Sequence, residues 1–260
     1  MIKNYQTLWA NSAPTFITLS RVDSTNSWLK KNKFLSKDQF YSLRGIEQFE
    51  GRGRYKRVWD QEPSKDLTMS MGFILDSEIG KSIGDLPLFT AVSLHKFLLK
   101  KGLDSKIKWP NDILIQNKKL CGILCEAIWN KNEVLFIIGV GLNVNSTHKN
   151  DNKKEYASTS IIEETNTQFD ICETFRAWTT EFKCEMEVFL HKGITPYLDY
   201  LNENLFLRNE KVLLEWILNS DQKNFTGILK EVDSQGRLNI ELDSKEVLKL
   251  THGEVRLKKV

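Results

Sequence analysis

Gly51, Arg52, Gly53, Arg54 and Arg57 crowd three guanidinium groups and two glycines into one short stretch. A guanidinium is a planar fork of donors that matches carboxylate and phosphate oxygens. A glycine lets the backbone approach whatever the fork holds. Alone, an Arg-Gly run fits a solvated loop or an RNA-contacting patch equally well. Its neighbours in the sequence narrow the choice. Lys108-Trp109-Pro110-Asn111-Asp112 is a proline-fixed turn that presents an amide and a carboxylate side by side. A structural turn around a buried tryptophan is the competing account. Lys118 and Lys119 precede Leu120-Cys121-Gly122-Ile123, and on a regular strand one lysine faces a site while the other faces solvent. Gly139 and Gly141 close a strand in GVGLNVN, which lacks the third glycine and the following helix of a dinucleotide fingerprint.

Elements able to position these groups surround them. Residues 15–19 are rich in β-formers, and DSTNSWLKKN offers Ser24 or Thr25 as the cap of a short helix. Residues 40–49 read as a strand, and residues 50–66, with two glycines and a proline, read as a long loop of the kind that handles ligands. LTMSMGFIL is a strand, and residues 84–101 have helical spacing at Leu88, Val92 and Phe97 with a stop at Gly102. SKIKW, DILIQN, KLCGILCEAIW and EVLFIIGVGLNV are short β-branched-rich pieces expected to pair antiparallel. The polar stretch 146–158 reads as a mobile loop. Ile171, Phe175, Trp178, Phe182 and Phe189 fall on one face of a long helix, a packed core face. Beyond Leu205 the strand-length pieces KVLLEWIL, NFTGILKEV, GRLNIEL and EVLKLTHGEVRL suggest a small separate β-barrel. The expected division is therefore 1–205 and 206–260.

Composition excludes several classes. A hydrophobic content of 40% supports a real core in 260 residues, so disorder is not the expectation. A net charge of +3 is too small for a dedicated nucleic-acid binder. The sequence has no apolar run long enough to cross a membrane and no signal-peptide pattern at its start, which places the expected protein in the cytoplasm. Cys121, Cys125, Cys172 and Cys184 have no CxxC spacing, so reduced, mostly buried thiols are expected rather than a metal site. The glycosylation-like patterns at Asn145 and Asn224 are read as chance.

In this order and at these separations, GRGRYKRVW, KWPND and KKLCGIL resemble the biotin protein ligase family, and the resemblance runs from DSTN to HGEVRLKK. It implies an α+β fold: a mixed, largely antiparallel sheet flanked by helices, like a class II synthetase catalytic domain, plus a C-terminal SH3-like barrel. It implies that ATP with Mg2+ activates biotin as biotinyl-5'-AMP, and that biotin is then joined to a lysine of a biotin carboxyl carrier domain. The metal would come with ATP rather than on direct protein ligands. Ser24, Thr25, Asn26, Gln48, Arg52, Gly53, Arg54, Lys119 and Gly122 would bind biotin, and Trp59, Asn111, Asn143 and Lys258 the nucleotide. Arg52, Arg54 and Lys119 would carry the chemistry, with Asp112 steering or deprotonating the incoming lysine.

The sequence departs from the family pattern at Glu50, where a small residue is usual, and at Lys56, where a further glycine is frequent. Glu254 and Lys258 match a GExxLR-like ending. A lipoate or octanoate transferase of the same superfamily is the nearest rival reading, and a nucleic-acid module the rival of another class. A repressor with a leading helix-turn-helix is not expected, since the catalytic pattern begins by residue 23. A monomer or homodimer, with no specific nucleic acid and no membrane, completes the expectation.

Overall fold

The structure, a computed structural model, describes residues 9, 12–32, 35–80, 84–147, 156–216, 224–251 and 255–260. Its larger sheet has seven strands: β1 (Thr15–Val22), β2 (Tyr41–Gln48), β3 (Leu67–Asp76), β4 (Lys106–Lys108), β5 (Asp112–Ile115), β6 (Lys118–Asn130) and β7 (Glu133–Leu142). They lie in the order β1-β2-β3-β7-β6-β5-β4. Only β1 and β2 run parallel. A parallel pair needs a crossover connection, and the helix α1 (Thr25–Lys31) supplies it. The other ladders are antiparallel, as the closely spaced strand pieces predict.

Period-two alternation in β3 sorts the two faces of the sheet. Leu67, Met69, Met71, Phe73 and Leu75 are buried in the main core, while Ser70 and Gly72 meet α1 at Asn26 and Leu29. Two long helices cover the main core, α3 (Leu86–Lys100) and α5 (Ile171–Lys192), with the one-turn α2 (Ser77–Gly80) between β3 and α3. The apolar row on α5 is buried as its spacing predicts, and Phe182 and Phe189 lie 5.2 and 4.4 Å from the Phe89 ring of α3. Each such ring contributes roughly 1.5–3 kcal/mol of burial. Asp170 caps the start of α5 by accepting from Glu173 N at 3.0 Å, and Gly193 at φ +63° ends it.

Three short helices escape the periodicity reading, α2, α4 (Ile161–Thr165) and α6 (Leu198–Glu203), because none is long enough to display a repeat. A signal for α4 was present in the Ser160-x-x-Glu163 spacing of a capping box, and Ser160 Oγ does accept from Glu163 N. The cysteine expectation needs correction. All four thiols are free, but Cys172 and Cys184 are exposed, since both lie off the apolar stripe of α5. Most of the 146–158 stretch, the glycosylation-like Asn224's preceding residues and Glu254 lie outside the described residues.

The smaller sheet follows α6: β8 (Lys211–Trp216), β9 (Phe225–Val232), β10 (Leu238–Leu242), β11 (Val247–Leu250) and β12 (Val255–Lys259), ordered β11-β10-β9-β8-β12 and antiparallel throughout. Among the described residues its two edge strands do not pair with each other. Val212, Leu214, Leu229, Leu238 and Ile240 belong to the same buried cluster as the core of the larger sheet. Among the described residues no helix is long and apolar enough to cross a membrane.

Candidate active site

A cavity of about 430 Å³ opens over β6 and β7, and it gathers residues from nearly every motif singled out in the sequence. Its floor is made of glycines because nothing larger fits. A Cβ at Gly141 would lie 2.2 Å from the Trp59 indole, one at Gly139 would lie 2.3 Å from Asn26 Oδ1, and one at Gly122 would lie 2.9 Å from Trp59. Side chains from α1 and from the 51–59 segment thus rest directly on strand backbone.

One wall is uncharged and polar. Ser24 sits at the N-cap position of α1, so Ser24, Thr25 and Asn26 turn inward together, and all three are buried. Gln48 at the end of β2 accepts from Thr25 N at 2.9 Å and from Thr25 Oγ1 at 3.2 Å. Ser70 Oγ on β3 lies 2.7 Å from Thr25 Oγ1 and 2.5 Å from Asn26 Oδ1. Neighbouring Asp23 is held below the usual carboxylate range, first by its hydrogen bond from Lys31.

A second part of the lining is cationic. Gly53 N bonds Arg57 O at 2.7 Å and Trp59 N bonds Gly51 O at 2.9 Å, so the expected loop is a narrow hairpin closed by an Arg52–Val58 bridge. Tyr55 and Lys56, at φ +55° and +58°, form its tip. Arg52 Nη2 donates to Ser27 Oγ. Arg54 Nη1 donates to Asn111 Oδ1 at 3.3 Å, joining the hairpin to the 108–112 turn, and Asn111 Nδ2 donates to the Ile123 carbonyl at 2.7 Å. Lys119 Nζ pairs with Asp112 Oδ1 at 2.8 Å and lies 5.5 Å from the Trp59 ring centre. Lys118 turns away to Glu164 at 3.0 Å, as strand alternation requires. Asn143 lines the cavity from the end of β7 and donates to the Thr159 carbonyl at 2.8 Å.

Of the fourteen residues expected to bind or react, thirteen line this one cavity. Lys258 does not. It is exposed on β12 and pairs with Glu215 at 2.7 Å, while its neighbour Leu257 is buried and reaches the cavity. Arg57, the third guanidinium of the loop, lines it too, as do Lys108 and Leu257, to which the sequence gives no role. Lys108 lies 4.2 Å over the Tyr156 ring, and Tyr156 Oη donates to the Leu257 carbonyl at 3.0 Å. The signal for Lys108 was its place in the quoted KWPND run. For Leu257 the apolar-polar alternation of the last strand was the available cue.

The chain is similar to proteins of known kind. Residues 18–143 match the profile of the Biotin/lipoate A/B protein ligase family. The bifunctional ligase/repressor BirA of Escherichia coli is 27% identical over 226 residues, spanning 85% of this chain and 68% of BirA. A biotin--[acetyl-CoA-carboxylase] ligase of Mycobacterium tuberculosis is 25% identical, over 77% of this chain and 73% of its own. A solved biotin protein ligase of Aquifex aeolicus, in complex with biotin and ATP, superposes with a TM-score of 0.79 at 25% identity, covering 95% of this chain and 99% of that one. With the motifs converging on one cavity, residues 18–143 carry the domain of the Biotin/lipoate A/B protein ligase family, and the chain is similar to biotin protein ligases along most of its length.

Proposed function

We infer that this chain uses ATP to join biotin to a lysine of a biotin carboxyl carrier domain, in two steps at the one cavity. A biotin carboxylate oxygen attacks the α-phosphorus of ATP, pyrophosphate leaves, and biotinyl-5'-AMP forms. The amine of the carrier lysine then attacks the acyl carbon, AMP leaves, and the amine gives up a proton.

The first step brings anion to anion, so its barrier is largely electrostatic. Arg52, Arg54 and Lys119 supply fixed positive charge where the two reactants meet, and a preorganised donor of this kind contributes about 3 to 4 kcal/mol. Among the described residues no group of three or more His, Cys, Asp or Glu side chains could hold a metal ion. The lining offers cations to phosphates, and Mg2+ would come with ATP to screen phosphate charge. Asp112, 2.8 Å from Lys119, is placed to take the proton of the incoming amine once Lys119 turns to the phosphate. The hairpin carrying Arg52 and Arg54 shelters the mixed anhydride from water.

The polar wall is the observation that favours biotin over the lipoate or octanoate reading. Thr25, Asn26 and Gln48 line the cavity with hydroxyl and amide groups, and the buried Ser70 backs them. A cyclic urea, with one acceptor and two donors, can answer such groups. The tail of an octanoyl chain, or a dithiolane, has no N–H or C=O with which to use the hydrogen-bonding capacity these groups keep on their cavity side. Residues 1–205 act as the catalytic unit and 206–260 as a barrel of SH3-like form, working in the cytoplasm as a monomer or homodimer without specific nucleic acid.

The test is the mass of a purified carrier domain after incubation with the protein, Mg-ATP and, in parallel, biotin, lipoate or octanoate. A gain matching biotinylation in the biotin arm alone is the expected result. Modification only by lipoate or octanoate would replace biotin as substrate.

A further inference from the structure

The amide of Asn26 has its whole donor capacity committed. Asn26 Nδ2 lies 2.7 Å from Glu126 Oε2 and 3.3 Å from the Leu124 carbonyl. Both partners only accept, so the amide nitrogen must face them; turning the amide over would set its oxygen against two acceptors. Glu126 is held in turn by Lys30 Nζ through its other oxygen, Oε1. Asn26 Oδ1 lies over the backbone of Gly139 and takes the Ser70 hydroxyl at 2.5 Å. An amide oxygen has two lone pairs. One remains for the cavity that Asn26 and Gly139 both line.

We propose that Glu126, backed by Lys30, is a positioning residue that fixes Asn26 as an acceptor and so makes the cavity select a ligand with an N–H at that point, as in one nitrogen of a cyclic urea. The proposal rests on the biotin reading above and deepens it: Glu126 sits on β6, outside the cavity lining, and acts only through Asn26. Its anionic character matters because a glutamine in its place can donate as well as accept. Asn26 could then turn over and present its nitrogen to the cavity.

The experiment compares steady-state biotinylation by the wild type and Glu126→Gln, using biotin and a biotin methylated on a ureido nitrogen. In Glu126→Gln the KM for biotin rises about tenfold, equivalent to about 1.4 kcal/mol. The KM for ATP stays where it was, and the preference for biotin over the methylated analogue narrows. A biotin KM and a preference both within about twofold of wild type overturn the proposal.

A charge swap supplies the second arm. Asn26→Asp sets two carboxylates against each other and abolishes tight biotin binding. Adding Glu126→Gln to it returns a donor, with one Asp oxygen left facing the cavity, and recovers binding at least about tenfold. Failure of that recovery also overturns the proposal, whatever the single variant does. A wild type that transfers no biotin would sink the functional reading instead, whereas a wild type that transfers biotin with position 126 indifferent sinks only this inference.

Discussion

Lys119 and Asp112 form an ion pair at 2.8 Å inside a cavity built to receive two anions, so the lysine has a partner in place before substrate arrives. Replacing it with Ala removes the cation nearest Gly122 while leaving β6 backbone pairing intact. Lys119→Ala is expected to lower biotin-dependent exchange of pyrophosphate into ATP by about 10² to 10³ and to leave the circular dichroism spectrum unchanged. Exchange at the wild-type rate would remove Lys119 from the first step. At this scale the sequence was informative, because charged forks, glycines and the paired Asn111 and Asp112 state their chemistry through residue type alone. Lys258, which the matching ending assigns to the nucleotide, lies outside the cavity lining. Leu257 takes the inward place on β12, and neighbouring side chains of a strand point to opposite faces, so Lys258 is left to pair with Glu215.

The hairpin from Gly51 to Trp59 turns at two non-glycine residues in the left-handed region, Tyr55 at φ +55° and Lys56 at φ +58°. An L side chain there costs roughly 1–2 kcal/mol. Lys56 is also where the sequence departs from a glycine frequent in the family. Lys56→Gly is expected to raise folding stability by about 0.5–1 kcal/mol once the extra freedom of an unfolded glycine is set against the relieved strain. Denaturant unfolding measures it, and a loss of stability would mean that Lys56 makes compensating contacts. The existence of this segment was legible as a break in periodicity. Its hairpin form was not, since the closing contacts are backbone bonds between residues with no strand pattern. The parallel pairing of β1 with β2 was hidden for a related reason: register between strands joined by a helix depends on how α1 packs, and two short apolar runs do not encode it.

Across the whole molecule, the turn between β9 and β10 is wedged against the larger sheet. Trp109 Nε1 donates to the Gly236 carbonyl at 3.1 Å, which ties the 108–112 turn of the cavity to the smaller sheet. Gly236 is at φ +70°, and a Cβ there would lie 1.9 Å from Asp85 Oδ1. Gly236→Ala is accordingly expected to destabilise the protein by about 2 to 4 kcal/mol, read from the denaturation midpoint. Asp85, at the N-cap position of α3, is held above the ordinary carboxylate range by burial and then by the charge of Asp233. A raised folded-state pKa means that its protonated form favours the fold. That stabilisation is complete below the ordinary aspartate value of 3.8 and is lost as pH rises through the raised value. Asp85→Asn should therefore raise the melting temperature at pH 7, with a gain that shrinks to nothing below about pH 4. A gain independent of pH would assign the effect to helix capping. The sequence did announce the second group of strands, through a change of texture after Leu205. It could not announce that Val212, Leu229 and Leu238 share one buried cluster with the larger sheet. That shared interior has a calorimetric consequence: heat should melt both sheets in a single endotherm, with van't Hoff and calorimetric enthalpies equal.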